Sequence, residues 1–68
     1  MTTRLVSIDI EDGTKEEAAL VLKAFRPLFP GAWFEFQLLA HRDRVFVDGV
    51  EMRKYLPTLR EAINSGNQ

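Results

Sequence analysis

The 68-residue chain contains no cysteine and a single histidine, His41. The first absence excludes disulfides, thiolate metal ligands and a cysteine nucleophile. The second leaves imidazole chemistry to one residue, so no metal site is expected. The four glycines, at positions 13, 31, 49 and 66, are scattered. A loop that cradles phosphate needs them clustered, so no cofactor is expected either. Long apolar runs are also missing, the longest being Ala18 to Leu22. A membrane span needs about 20 apolar residues, so no membrane association is expected. The first strand-like stretch already carries Asp9, Glu11 and Asp12, where a signal peptide would be uncharged and apolar. The expected location is therefore the cytoplasm. Excess charge of one sign is lacking as well. A net charge of −1 argues against strong general affinity for nucleic acid, which draws on clustered Lys and Arg.

What is present is an ordinary globular composition, 46% hydrophobic and 28% charged. One domain over 1–68 is expected, with 65–68 as a polar tail. A chain of this size buries only about 60% of the surface that its unfolded form exposes. It must stand on hydrophobic packing alone or share a core with a partner. Charge is mildly uneven: two basic and five acidic residues up to position 17, then seven basic and five acidic from Lys23 onward.

Alternation of Val6, Ile8 and Ile10 with Leu5, Ser7 and Asp9 predicts a strand over Arg4 to Ile10, closed by the turn Glu11-Asp12-Gly13. Thr14 is a good N-cap, and Glu17 three residues on completes a capping box. Ala18, Val21, Leu22 and Phe25 then follow the spacing of a buried helical stripe, with Leu20 opposite it. Pro27 stops that helix, and Pro30-Gly31 suits a type II turn. A second strand is expected over Ala32 to Ala40, with Phe34, Phe36 and Leu38 on one face and Trp33, Glu35, Gln37 and Leu39 on the other. His41-Arg42-Asp43 reads as a short polar turn into a third strand, Arg44 to Val47, antiparallel to the second.

Asp48-Gly49 supports two readings. As a tight hairpin it makes Val50 to Arg53 a fourth strand and puts Pro57 in the first turn of a last helix. As an N-cap with Glu51 it starts that helix earlier. The hairpin is the favoured reading because Pro57 would sit badly inside a longer helix. The resulting order is β-α-β-β-(β)-α. An α+β two-layer sandwich is expected, with a mainly antiparallel sheet of three or four strands and two helices on one face. This order is similar to pieces of ferredoxin-like and thioredoxin-like domains and of the small DNA-damage-inducible protein I type. The similarity implies a fold and no function, and thioredoxin-like chemistry would need two cysteines.

No catalytic constellation is legible, and the chain is not expected to be an enzyme. His41 lies between arginines and an aspartate in an expected surface turn, with no nucleophile at hand. Asp9, Glu11 and Asp12 lack the remaining ligands of a calcium loop. The informative oddity is the sheet face away from the helices. Leu5, Trp33 and Leu39 point there, together with Phe46 or with Val45 and Val47, whereas an open antiparallel face is usually polar. The expected function is a non-catalytic protein–protein interaction module or small regulator, either a homodimer or the partner of a larger protein. The expected surface is Leu5, Trp33, Leu39 and Phe46, with strand one, Arg4 to Ile10, as an open edge with which a second copy or a partner strand could pair. The alternative is a nucleic-acid-binding accessory protein that uses a basic patch of Arg42, Arg44, Arg53 and Lys54, with Trp33, Phe46 or Tyr55 as stacking surfaces.

Overall fold

Two strands with β-branched, alternating sequence form the buried middle of the sheet, and everything else is arranged around them. The computed structural model describes residues 3–66. Its elements are β1 (Leu5–Glu11), α1 (Lys15–Phe25), β2 (Trp33–Ala40), β3 (Arg44–Val47), β4 (Val50–Glu51), a 3₁₀ turn at Arg53–Tyr55 and α2 (Leu56–Ser65). The fold is an α+β two-layer arrangement of four strands and two helices. Val6, Ile8 and Ile10 of β1 and Val45 and Val47 of β3 are buried against Val21 and Phe25 of α1 and Leu59, Ala62 and Ile63 of α2. Phe29, just after α1, closes this core; it stacks on Phe25 and meets Tyr55 edge-on at 5.1 Å between centroids.

Local chemistry sets the element ends. Glu17 N–H donates to Thr14 Oγ1 at 3.2 Å and Thr14 N–H donates to Glu17 Oε1 at 3.0 Å, so the capping box opens α1 as expected. Gly31 has φ +77, and Ala32 N–H donates back to Phe29 C=O, as a type II turn requires. The hairpin reading of Asp48-Gly49 holds: both residues have positive φ, and Val47 pairs with Val50. Pro57 accordingly lies in the first turn of α2. The fourth strand is shorter than expected, since Arg53 already belongs to the 3₁₀ turn.

The sheet order is β2-β1-β3-β4, which corrects three expectations. First, the sheet is mixed and not mainly antiparallel, because β1 and β2 run parallel. Second, β3 pairs antiparallel with β1 and not with β2. Third, β1 is a central strand, so the open edges belong to β2 and β4. The short link 41–43 achieves this by passing over the end of β1. Two strand spacings are roughly 10 Å, and the four steps from Ala40 to Arg44 reach about 13 Å when extended. Asp43 fixes the crossing. Its Oδ1 accepts from Glu11 N–H at 3.0 Å, and its Oδ2 lies against Arg60 Nη2 of α2 as an ion pair without the alignment of a hydrogen bond.

Alternation and helical spacing predict a core of Val6, Ile8, Val21, Leu22, Phe25, Phe34, Phe36, Leu59 and Ile63, and the same order corrects it. Val6, Ile8, Val21, Phe25, Leu59 and Ile63 are buried, but Leu22, Phe34 and Phe36 are only half-buried. α1 lies against β2, but β2 is an edge strand, so its helix-side residues are covered from one flank only. Leu20, read as opposite the buried stripe, is also half-buried, with Gly66 at the end of α2 beside it.

Candidate functional site

On the face away from the helices, pairing register decides which side chains meet. Leu5 of β1 lies beside Trp33 of β2. Ser7 separates Glu35 on one side from Phe46 on the other, and Asp9 separates Gln37 from Arg44. Phe46 is the residue of β3 that turns outward, because Val45 and Val47 are committed to the core; it is half-buried. Leu5, Trp33 and Phe46 therefore form an apolar corner near the start of β1 and β2. Trp33 is 64% exposed there.

Leu39 does not join this corner. It lies six residues along β2 from Trp33, about 20 Å at the usual strand rise. Between Asp9 and Glu11 the β1–β2 register slips, two steps of β1 spanning three of β2 (Gln37 to Ala40). The extra residue is a bulge that leaves Leu39 84% exposed.

The long free edge of β2 was missed in the sequence. Trp33 N–H donates to Arg4 C=O at 2.7 Å, toward the β1 side. By strand alternation Glu35 and Gln37 also direct their main-chain groups to β1, while those of Phe34 and Phe36 face outward, where no strand lies among the described residues. On the helix side, Leu22, Phe29, Ala32, Trp33 and Phe34 line a groove of about 540 Å³ between the end of α1 and β2. A signal for this edge was present: a strand, a helix and a strand in succession are the signature of a parallel crossover. That order makes β2 a neighbour of β1 and frees the other side of β1 for β3.

The basic residues are distributed differently from the expected patch. Arg42, Arg44 and Arg53 share a cleft of about 170 Å³ with Asp43, Glu51 and Leu56. Glu51 bridges two of them, 3.3 Å from Arg53 Nε and 3.8 Å from Arg44 Nε. Lys54 stands apart, with its ammonium 5.2 Å from the centroid of the Tyr55 ring. Tyr55 itself packs edge-on against Phe25 and Phe29. Of the three expected stacking residues, Trp33 alone is widely exposed, and it lies at the far side of the sheet from the arginine cleft.

His41 is exposed in the link after β2, beside Asp9, Gln37, Arg42 and Arg44. Among the described residues, no three of His, Cys, Asp and Glu come together as metal ligands would, and no helix is long and apolar enough to cross a membrane. The clearest electrostatic device is structural. Asp48 accepts from Arg4 Nε at 3.1 Å and from Leu5 N–H at 3.1 Å. The Arg4 hydrogen bond, and then the Leu5 N–H, hold the Asp48 carboxyl below its ordinary range. This tie pins the β3–β4 turn to the start of β1. Comparison of the chain with family models, with curated proteins and with solved structures returned no match.

Proposed function

We propose that this chain is a non-catalytic protein-interaction module, a small regulator that docks through the β2 side of its sheet. The observation that carries the reading is the conjunction of Trp33 and Leu39, both strongly exposed, on one eight-residue strand with an open edge. Leu5 and Phe46 extend the apolar surface inward from Trp33. Large apolar groups kept on the surface of a domain this small weaken its solubility without adding to its core, which favours a role in binding. A free strand edge adds main-chain donors and acceptors that a protein partner can satisfy.

The arrangement favours this over nucleic-acid binding. Asp43 and Glu51 interleave with the arginines, and Glu51 engages two of them, so the positive charge is internally offset. Photo-crosslinking in the source cells separates the two readings. A photoreactive residue at position 33 is expected to yield protein adducts, while one at the exposed Ala19 of α1 yields none. Adducts to nucleic acid from position 33, or equal yields from both positions, would sink the reading.

A further inference from the structure

The geometry points to a second copy of this chain as the partner: two β2 strands pair antiparallel about a two-fold axis beside Phe36. The inference rests on the interaction reading above and names its occupant. It follows from the pattern of β2 itself. Main-chain groups of Phe36 face the open edge, so a two-fold axis at Phe36 lets it exchange both hydrogen bonds with its copy. With that register every opposed pair matches. Trp33 faces the partner's Leu39 on the outer face, Phe34 faces the partner's Leu38 on the helix side, and Glu35 faces the partner's Gln37.

Two features of the single chain are accommodated together. Leu39, isolated at the far end of β2, comes to lie beside a tryptophan. Phe34, Phe36 and Leu38, which the helices only half cover, meet their equivalents across the axis. Moving the axis one residue earlier, to Glu35, would set that carboxylate directly against its copy in the closer kind of antiparallel pair, which disfavours it. An isologous contact of this kind closes on itself, so it yields a dimer with one continuous sheet and no further growth at β2.

Sedimentation equilibrium of the full chain, from low to high micromolar, tests the pairing with two substitutions at an exposed position. Gln37→Lys places an ammonium opposite the partner's Glu35 twice over, and Gln37→Glu places a second carboxylate there. The dissociation constant is expected to fall about fivefold for the first and rise about fivefold for the second. Trp33 emission should be blue-shifted in the dimer and move to the red on dilution. Thermal melts of both variants in dilute solution check that the fold is kept. A dimer on which Gln37→Lys and Gln37→Glu do not act in opposite directions overturns the register and with it the proposal. A monomer at every concentration overturns it too, while adducts to a different protein from position 33 would still uphold the interaction reading.

Discussion

The two edges of the sheet are built in opposite ways. β4 is two residues long, and its Glu51 lies between Arg44 and Arg53 before the chain turns away into the 3₁₀ turn. Its exposed apolar residue, Val50, sits in a tight hairpin where no length of strand is offered. At the other edge β2 runs for eight residues with Glu35 as its sole charge, and it carries exposed apolar groups at both ends. Charged residues and short strands are the usual means of blunting an edge against unwanted pairing. One edge has been blunted and the other left open. The difference teaches that openness here is not a consequence of small size, since the same chain closes its opposite edge with few residues.

The contrast predicts that substitutions on the closed and open sides differ in kind. The largest effect is expected in the covered middle. Ile8→Ala should cost about 3–4 kcal/mol, because its side chain is fully buried beneath both helices. Phe36→Ala, although it removes a larger group, should cost about half as much in dilute solution, since Phe36 is half-buried at the rim. Urea denaturation at low protein concentration measures both, and equal losses would mean that β2 is as well covered as β1.

The next largest effect concerns the strap that carries the chain over β1. Asp43→Ala removes the acceptor for Glu11 N–H and the partner of Arg60. A loss of about 1–3 kcal/mol is expected, kept below that of a fully buried pair because the Arg60 side chain is 53% exposed. Asp43→Asn, which can still accept from Glu11, should fall between. An unchanged urea midpoint for Asp43→Ala would show that the crossing holds without the carboxylate.

The smallest effect lies at the closed edge and disappears in acid. Asp48 is held below its ordinary range in the folded state, so the unfolded chain takes up the proton first as pH falls. Its contribution is complete above the unfolded value, near 4, and is lost as pH drops through the lower folded value. Thermal melts of the parent and of Asp48→Asn, which tolerates the positive φ of this turn, should differ near neutrality and converge below pH 4. A gap that stays constant with pH would place the role of Asp48 in its backbone conformation rather than its charge.

These comparisons also mark where the sequence was readable. Caps and turns were legible because each depends on two or three neighbouring residues: Thr14 with Glu17, Pro30 with Gly31, Asp48 with Gly49. Strand faces were legible from alternation, which placed Leu5, Trp33 and Leu39 outside. Strand order was not. A three-residue polar link normally signals a hairpin, and nothing local in His41-Arg42-Asp43 says that it crosses β1 instead. The information lies in a long-range pair, Asp43 with Glu11 and Arg60. From that single misplacement followed the overestimated burial of Phe34 and Phe36 and the assignment of the open edge to β1. The apolar corner was therefore found residue by residue while its setting, the free side of β2, was not.

The central place of β1 has a consequence for how the chain must be made. Strand, helix and strand through Ala40 can form one parallel unit as they leave the ribosome, but the other side of β1 stays bare until Arg44–Val47 follows. The helix that completes the core, with Leu59 and Ile63, emerges later still. For that interval a strand destined for the middle of the sheet presents an open edge, the kind of surface on which nascent chains misassociate. Any fragment ending near residue 43 would freeze that interval in place, with two sticky edges where the finished fold keeps one.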